Sequence, residues 1–559
     1  MAQDAYTLFY TALELNTLLG GAKINRITQP NKDEVFLLVY TNAGTKNLVL
    51  SANAESCRVC FSSQERQNPK VAPNFCMLLR KHVSGATIES VKLVGYERIL
   101  EITFSSKNDF RENVTKVLYC EIMGKYSNLI LTENGIILGC LKNPPIDAVT
   151  SRLTISGAKY TLPKPQDKAD IYDKAETVKR LSLYSGGDEA KFLFENVKGL
   201  SYPTAAEAAL KVFPFSIAEQ GYEKLYEFLL LGKVRPNIAG EGKLKDVYVT
   251  DYLSIGGEKK FFEDISSALD EFYTAKEKNK AFNLKQKSLA DKTNGLIKKL
   301  TKRLQNEEEK IAEAEELEDL KLKGELITAN LWRIESGKSE CTLENYYDGG
   351  APIKIALDKN LTPNQNAQKY YKKYAKEKRT LDVIIPQRDE TKAELEYLYG
   401  VLFEINEAKV ITDFSDIESE LIAAKLLPAP KFKKKQEKES QPRIYNVDGF
   451  TVKCGKNNVQ NDRLTSRAFW GDMWLHTKNY HSAHVIIETK GEDIPNEVIE
   501  IAAEICAFYS DAGGGGKVPV DYALKKFVKK TPQSKPGSVI YTNYKTCYVT
   551  PSSHEEFSV

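Results

Sequence analysis

The chain has 559 residues, of which 28% are charged, and its formal net charge is only +3 at pH 7. This length corresponds to three or four domains, and the small net charge excludes a basic tail, so any nucleic-acid affinity has to come from local clusters. The start Met-Ala-Gln-Asp carries an acid where a signal peptide is basic, no apolar run could span a membrane, and the nine cysteines lack framework spacing. We therefore expect a soluble cytoplasmic protein with no membrane segment.

Residues 1–165 have the pattern of an α/β domain. A helix is predicted at Ala5–Leu19, ended by Gly20-Gly21, and a second helix at 73–83 is opened by a proline. Strands are predicted at Lys23–Gln29, Glu34–Tyr40, Leu48–Ser51, Ser56–Phe61, Ile88–Val94, Ile99–Phe104, Lys116–Ile122, Ser127–Leu131 and Gly135–Cys140.

Two short motifs in this domain have both a structural and a functional interpretation. Tyr96-Glu97-Arg98 lies between two predicted strands, where a charged pair either presents chemistry or forms an ordinary solvated turn. Cys57 and Cys60 form a CxxC motif, but no second CxxC or histidine pair follows at zinc-site spacing. Because residues three apart on a strand point to opposite faces, we interpret them as two buried or half-buried cysteines.

Residues 170–260 are predicted to begin with helices. The run from Asn196 to Pro203 resembles the end of a helix, a turn at Gly199 and the start of a second helix at Ser201. Helix-hairpin-helix modules use such a glycine turn to aim backbone N–H groups at a phosphate, although ordinary helix hairpins share the spacing. A strand at Asp246–Leu253 is expected to follow.

The middle of the chain consists of two long charged helical stretches around a short β-like insert at about 323–360. The first stretch lacks proline and runs from about Ile265 to Leu322; its a/d positions hold Ile297, Leu300, Leu304, Ile311 and Ala314. A helix of about 58 residues is roughly 85 Å long, which no compact domain needs. The second stretch starts after Pro363 and resumes beyond Pro386 with an apolar face of Leu395, Leu398, Leu402 and Ile405. A homodimeric coiled coil and an antiparallel arm within one chain both fit; the short insert and Pro386 favour the arm.

A proline-flanked, lysine-rich linker at Pro428–Pro442 separates the arm from a C-terminal domain at 443–559. In that domain helices are predicted at Gln460–Phe469 and Asn496–Ser510, the second ending in a flexible Gly513–Gly516 run. Strands are predicted at Arg443–Cys454, Met473–Leu475, His484–Ile487, Val539–Thr542 and Thr546–Thr550.

Two features of the C-terminal domain could carry chemistry. Lys456-Asn457-Asn458 after a glycine resembles a turn that offers donors to a phosphate, and a basic cluster near Tyr522 comprises Lys525, Lys526, Lys529, Lys530 and Lys535. Four of the five histidines are His476, His481, His484 and His554. A zinc site would need a fourth ligand beside the first three, so we expect them to be buried or to contact RNA and expect no metal.

Motifs of phosphate-binding loops, hydrolases and metalloproteases are absent from the sequence, and we expect neither a cofactor nor enzymatic activity.

A long series of motifs in this order resembles the NFACT family, and in particular its bacterial RqcH branch, some members of which carry the label fibronectin-binding protein. In the first domain the matching residues are Asp4, Gln29-Pro30, Asn68-Pro69, Pro73 to His82 with Arg80 and Lys81, Glu97-Arg98-Ile99, Glu121 to Gly124 and Ser127-Asn128. In the middle they are Gly324 to Leu331, Asn345-Tyr346-Tyr347, Leu357-Asp358 and Asn366 to Tyr374. In the last domain they are Gly455 to Asp462, Leu464-Thr465, Trp474 to Lys478 with His476, Val518 to Tyr522 and Lys535-Pro536-Gly537.

The resemblance implies an α+β multidomain fold. Its parts would be a formamidopyrimidine-glycosylase-like NFACT-N domain at 1–170, a helix-hairpin-helix module at 171–262, a long antiparallel coiled-coil arm at 263–427, the linker at 428–442, and an α/β NFACT-R RNA-binding domain at 443–559. It also implies a ribosome quality-control factor that binds 50S subunits blocked by peptidyl-tRNA. Such a factor recruits alanyl-tRNA, so that the stalled chain receives an alanine tail without mRNA and is then degraded.

The partners implied by the resemblance are the rRNA and proteins of the 50S subunit, tRNA (tRNA-Ala foremost), peptidyl-tRNA and a small Hsp15-like RNA-binding protein, RqcP; we expect a monomer. The residues that match the family's functional positions for tRNA binding and tailing are Asp4, Glu97 and Arg98. The further RNA-binding candidates are Arg80, Lys81, Lys456, Asn457, Asn458, Trp474, His476, Lys478, His484, Lys525, Lys529 and Lys530.

Two departures from the family pattern bear on these expectations. The family's usual aspartate is Glu97 here, which keeps the charge but adds a methylene, and Tyr480 to His484 replaces a common Pro-Gly-Ser-His. A surface fibronectin-binding adhesin is the alternative function, although no signal peptide or wall anchor supports it. A DNA glycosylase is a third alternative, but the chain starts Met-Ala-Gln-Asp and lacks the N-terminal proline nucleophile of that fold.

Overall fold

The fold is seen in a computed structural model that describes residues 3–107, 112–143, 152–242, 245–313, 317–429, 440–489, 491–512, 516–530 and 535–559. The chain divides into two compact units, Met1–Asn279 and Lys280–Val559. Most of the predicted linker and residues 513–515 of the predicted glycine run lie outside the described residues.

Within the described part of the first unit, nine strands form an antiparallel sheet in the order β4-β3-β2-β1-β5-β6-β7-β8-β9. The strands are β1 Lys23–Asn31, β2 Glu34–Thr41, β3 Gly44–Ser51, β4 Arg58–Phe61, β5 Thr87–Leu93, β6 Ile99–Lys107, β7 Asn113–Glu121, β8 Asn128–Glu133 and β9 Ile136–Cys140. Helices α1, Ala5–Leu19, and α2, Asn74–Val83, share a hydrophobic core with this sheet. Every strand predicted for this domain is present, with bounds that agree or are shifted by up to four residues.

Helix α1 is buried on two sides. Leu8, Leu15 and Leu19 belong to the core under the sheet, whereas Tyr6 and Tyr10 belong to a second core built mainly from helices. That second core is formed around α3 Lys174–Leu181, α4 Glu189–Asn196, α5 Tyr202–Val212 and α6 Ala218–Leu231, followed by β10 Asn237–Ala239, β11 Asp246–Tyr248 and β12 Lys260–Phe261. The strand predicted at Asp246–Leu253 is therefore shorter than expected.

Two long helices dominate the middle of the chain. Helix α7 covers Ile265–Glu313, and α8, Leu317–Ala329, precedes a hairpin of β13 Glu340–Asn345 and β14 Ala351–Ala356. Helices α9, Pro363–Glu407, and α10, Ile411–Ala423, follow. The predicted β-like insert is thus partly helical, because α8 extends to Ala329.

Helices α7 and α9 lie antiparallel. Gln286 donates from Nε2 to the carbonyl oxygen of Ile405 at 3.0 Å, whereas further along α7 Glu308 pairs with Lys392 at 2.9 Å. The predicted interruption at Pro386 is wrong, since α9 continues through this proline. The proline removes one backbone hydrogen bond, to the carbonyl of Asp382, and both residues are exposed, so water can satisfy that carbonyl.

In the described part of the C-terminal domain, six strands form an antiparallel sheet in the order β15-β16-β18-β17-β19-β22, covered on one face by α12. The elements are β15 Arg443–Val447, β16 Phe450–Cys454, α11 Asn458–Arg467, β17 Met473–Thr477, β18 Val485–Glu488, α12 Asn496–Phe508, β19 Val518–Leu524, β20 Val528–Lys529, β21 Ile540–Tyr541 and β22 Lys545–Val549. The single strand predicted at Arg443–Cys454 is wrong. Asp448 and Gly449 have φ of 47° and 84° and turn the chain into a hairpin between β15 and β16.

Candidate nucleic-acid interface

Asp4 joins α1 to the helices α3 to α6, called the helical module below, instead of facing solvent. Its side chain is 3% exposed and caps α1 by accepting from the backbone N–H of Thr7 at 2.9 Å. The other carboxylate oxygen accepts from the N–H of Ser201 at 3.0 Å and from the hydroxyl of Thr204 at 2.6 Å. Because three buried donors occupy the carboxylate, Asp4 fixes the position of α5 against α1 and is not available to an RNA in this arrangement.

The glycine turn predicted before α5 fits closely against the start of α1. Gly199 has φ of 77°, and its carbonyl oxygen accepts from the N–H of Ala5 at 2.9 Å. A Cβ at Gly199 would lie 2.4 Å from the Cβ of Ala5 and 2.5 Å from the carbonyl oxygen of Tyr96. Only glycine combines this backbone conformation with such close approach.

The turn also brings charged side chains of the helical module to Glu97 and Arg98. These two half-buried residues follow the buried Tyr96 in the loop between β5 and β6. Lys198 lies 3.9 Å from the Glu97 carboxylate and 4.0 Å from that of Asp170. Burial raises the pKa of Glu97, an effect that Lys198 opposes. The loop thus presents both signs of charge at a junction held by Asp4 and Gly199.

Arg80 and Lys81 form a separate exposed basic end of α2. Arg80 donates from Nε to the carbonyl oxygen of Ile27 at 2.9 Å. In the described parts of the first unit, no ion pair or hydrogen bond connects these two residues to the Glu97 loop. The Arg80 side chain instead links the end of α2 to β1, which contains Ile27.

The two cysteines of the CxxC motif are buried in different cores. Cys57 belongs to the core under the sheet and Cys60 to the helical core, as expected for opposite faces of a strand. Burial raises the pKa of the Cys60 thiol to about 12. Over the described ranges, no group of three or more His, Cys, Asp or Glu side chains could hold a metal ion.

In the second unit, Trp474, His476 and His484 form an aromatic cluster. The rings of Trp474 and His476 are parallel, with centroids 5.7 Å apart, and His484 meets both edge-on. The Nδ1 atom of His484 lies 2.7 Å from the hydroxyl of Thr465. Burial lowers the pKa of His476 to about 4 and that of His484 to about 3, so both imidazoles are neutral at pH 7.

This cluster lines a cleft of about 1070 Å³, whose opposite wall is formed by α9. Gly400 of α9 lies close to the histidines, because a Cβ there would lie 2.8 Å from Nδ1 of His481. Lys535 also lines the cleft, with its ammonium 4.5 Å from the ring centre of Tyr397. The cleft combines these neutral rings with cations and carboxylates; the cations are Arg443, Lys456 and Lys535, and the carboxylates are Glu396, Glu404, Glu407 and Asp511.

The predicted phosphate turn serves mainly as the start of α11. Asn457 is buried and caps the helix by accepting from the N–H of Gln460 at 2.9 Å. Asn458 donates to the carboxylate of Glu420 at 3.2 Å, and Lys456 lies 3.9 Å from that of Asp413. Two of the three predicted donors thus have protein partners.

The lysines of the predicted basic cluster are spread over several surroundings. Lys530 pairs with Asp462, and Lys525 is half-buried beside the carbonyl of Val528. Lys529 is exposed on β20. Lys478 is an RNA-binding candidate outside this cluster, and its ammonium lies 5.4 Å from the ring centre of Tyr544.

Sequence reasoning missed two residues of this domain, Phe469 and Trp470, which are 79% and 76% exposed. Phe469 was expected to end a helix, but α11 ends at Arg467. Two neighbouring aromatic residues next to Gly471, at the end of a polar helix, were the available signal.

No described helix is long and apolar enough to cross a membrane.

The chain is similar to known proteins along nearly its whole length. Family models described as NFACT N-terminal and middle domains and as NFACT protein RNA binding domain match residues 4–440 and 443–543. A protein named Rqc2 homolog RqcH from Bacillus subtilis (strain 168) is 32% identical, covering 99% of this chain and 98% of that protein. A protein of the same name from Streptococcus suis (strain 05ZYH33) is 31% identical, with the same coverage.

Among solved structures, the N-terminal part of the fibronectin/fibrinogen-binding protein from Streptococcus suis matches with 26% identity and a TM-score of 0.44. The match covers 49% of this chain and 99% of that one. The two family matches and the full-length relatives agree with the resemblance seen in the motifs. The chain belongs to the NFACT family.

Proposed function

We propose that the protein is a ribosome-associated quality-control factor. It would bind large ribosomal subunits that carry peptidyl-tRNA and recruit alanyl-tRNA, so that the stalled chain is extended by alanine without mRNA and then degraded. The observation that carries this proposal is similarity over 99% of the chain to a protein named Rqc2 homolog RqcH. We further propose that peptide transfer is done by the ribosome and that this protein only positions the reactants.

The junction around Glu97 and Arg98 supports the tRNA-binding part of the proposal. Arg98 is half-buried in the loop and directly precedes β6, and Lys168 and Lys198 are close enough to Glu97 to oppose the rise of its pKa. The planar guanidinium of an arginine can donate two parallel hydrogen bonds to a phosphate. The loop is held by Asp4 and Gly199, so the cations are presented in a fixed arrangement.

We propose that the remaining parts dock on the ribosome. Helices α7 and α9 would form an antiparallel coiled-coil arm that reaches across the subunit, and α4 and α5 a helix-hairpin-helix module that contacts tRNA backbone. The C-terminal domain would contact RNA through its aromatic cleft and its lysines. This division of labour predicts that tRNA binding and subunit binding can be lost separately.

Sucrose-gradient sedimentation of cell extracts tests the ribosomal part. The protein should migrate with 50S particles, and raising the salt concentration should release it because phosphate contacts are electrostatic. A protein that stays at the top of the gradient at low salt, in cells with stalled ribosomes, would contradict the proposal.

The variant Arg98→Ala tests the tRNA-binding part. Losing one charge-assisted contact of about 1.5–3 kcal/mol should reduce tRNA recovery about 10-fold or more, while 50S association stays. Arg180→Ala is the matched control, because Arg180 pairs on the surface with Glu176 and Asp167 of the same unit. Loss of 50S association with tRNA recovery intact in the Arg98 variant would refute this division of labour.

A further inference from the structure

Phe469 and Trp470 are neighbouring aromatic residues in the loop between α11 and β17, and both are mostly exposed, at 79% and 76%. Four residues later, Trp474 is fully buried in the same domain. Large aromatic rings usually supply core or interface area, and leaving two side by side in water forgoes that stabilisation. The pair therefore marks a contact surface.

The backbone that carries the two rings is fixed. The N–H of Phe469 donates to Oδ2 of Asp472 at 2.7 Å, and the N–H of Asp472 donates back to the carbonyl oxygen of Phe469 at 3.1 Å. The other carboxylate oxygen of Asp472 accepts from the N–H of Thr489 at 3.1 Å. Ala468 packs into a small core below the loop. The rings are thus presented on a preformed loop, so little ordering is needed when a ligand binds.

Backbone contacts bring the segment that carries Lys525 and Lys526 to the loop of the two rings, and the Lys526 ammonium lies 5.1 Å from the ring centre of Phe527. The N–H of Lys525 donates to the carbonyl oxygen of Asp472 at 2.8 Å, and the N–H of Lys526 donates to that of Trp470 at 3.2 Å. Arg467 ends α11 two residues before Phe469. Within the described ranges, Arg467 and Lys526 form no ion pair. Asp472, the acid within the loop, is buried and already accepts several hydrogen bonds.

We propose that Phe469 and Trp470 form a stacking platform for unpaired bases of single-stranded RNA. Arg467, Lys525 and Lys526 neutralise the phosphates that flank the stacked bases. Proteins that bind single strands combine aromatic side chains with a basic track in this way. The inference deepens the RNA-binding role proposed for this domain and rests on it.

The surroundings of the rings favour bases over apolar ligands. Ser466, Arg467 and Gly471 next to the rings add no apolar surface, so the patch is two rings in a polar, cationic setting. An apolar protein segment or lipid tails would need a larger continuous apolar area. The nucleotides of a single strand offer base π faces to stack on the rings and backbone phosphates to pair with the cations.

Tryptophan fluorescence of the full-length protein tests the platform. The chain has three tryptophans. Trp474 is buried and Trp332 is 81% exposed, so a Trp332→Phe background leaves Trp470 as the responsive one. Adding a short unstructured oligouridine should quench this fluorescence, and a fully paired RNA duplex of equal length should quench it far less. Replacing Trp470 by alanine in the same background should remove the quenching.

Binding of a labelled oligouridine, followed by fluorescence anisotropy, gives the size of the effect. The double variant Phe469→Ala/Trp470→Ala should bind about 10-fold or more weakly, because each stacked base is lost. Tyr548→Ala is the matched control, since Tyr548 is a 64% exposed aromatic residue on β22 of the same domain. Equal affinity of the double variant and the control would overturn the platform.

Two further outcomes are decisive. A fluorescence change with anionic lipid vesicles but not with oligouridine would assign the rings to a membrane surface and overturn the inference. Sedimentation measured in parallel separates the stacking platform from the proposed ribosomal function. If the wild-type protein binds oligouridine through Trp470 but never associates with 50S particles, the ribosomal role fails and the platform remains. If it associates with 50S particles without stacking on oligouridine, the platform fails alone.

Discussion

Replacing Asp4 by alanine should loosen the junction between α1 and α5 without removing any direct contact to RNA. The carboxylate is 3% exposed and accepts hydrogen bonds from Thr7, Ser201 and Thr204. The variant would leave all three donors without this acceptor in a buried position. Asp4 is therefore a positioning residue for the Glu97 loop, and its loss should weaken the proposed tRNA binding indirectly.

The magnitude follows from the bonds that are lost. Removing a helix N-cap costs about 1 kcal/mol. Each of the two other hydrogen bonds to the buried carboxylate is worth about 1.5–3 kcal/mol, so the total is at least about 4 kcal/mol. That free energy corresponds to about a thousandfold change in the equilibrium between closed and locally opened junctions.

Native-state hydrogen exchange measures this opening directly. The amides of Thr7 and Ser201 should exchange about a thousandfold faster in Asp4→Ala. Asp173→Ala is the matched control, because Asp173 caps α3 at an exposed position with a single bond to the N–H of Glu176. Unchanged exchange at Thr7 and Ser201 together with lost tRNA binding would refute the reasoning, because Asp4 would then act on the RNA itself.

Two more changes test the second unit. Burial raises the pKa of Glu404, and it raises that of Glu420 from 4.5 to about 7, so the folded state holds these protons more tightly than the unfolded state. The stability of this unit should therefore be full below about pH 4.5 and fall by a few kcal/mol as pH rises through 7. Calorimetric melting should show a much flatter pH profile for Glu404→Gln/Glu420→Gln, and an unchanged profile would contradict the burial effect. Pro386→Ala should raise the melting temperature of this unit, since an interior proline costs a helix about 3 kcal/mol; a lowered temperature would show that the proline is needed.

Much of the fold follows from local patterns. The strands of the first sheet and the opposite burial of Cys57 and Cys60 depend on the two-residue period of a strand, which the sequence displays. The hairpin at Asp448-Gly449 was missed although this pair is a strong turn signal, because the apolar pattern continues across it. Continuation of α9 through Pro386 was missed because the cost of the proline depends on its exposure, which the sequence does not state.

The site was predictable only where the chemistry is local. The role of Asp4 depends on Ser201 and Thr204, about 200 residues away along the chain, and no hydrophobic periodicity in the sequence predicts such a pairing. The family resemblance predicts Asp4, Glu97 and Arg98 as functional residues, and the burial of Asp4 favours a positioning role for it over direct contact. Trp470 was missed because an aromatic residue beside a helix predicts a core position, whereas here it is exposed.

Sequencing the RNA that copurifies with the full-length protein from cells tests the central proposal most directly. The account predicts strong enrichment of tRNA-Ala together with 23S and 5S rRNA, and loss of the tRNA alone in Arg98→Ala. Recovery of RNA that reflects only cellular abundance, the same for the wild type and the variant, would contradict it.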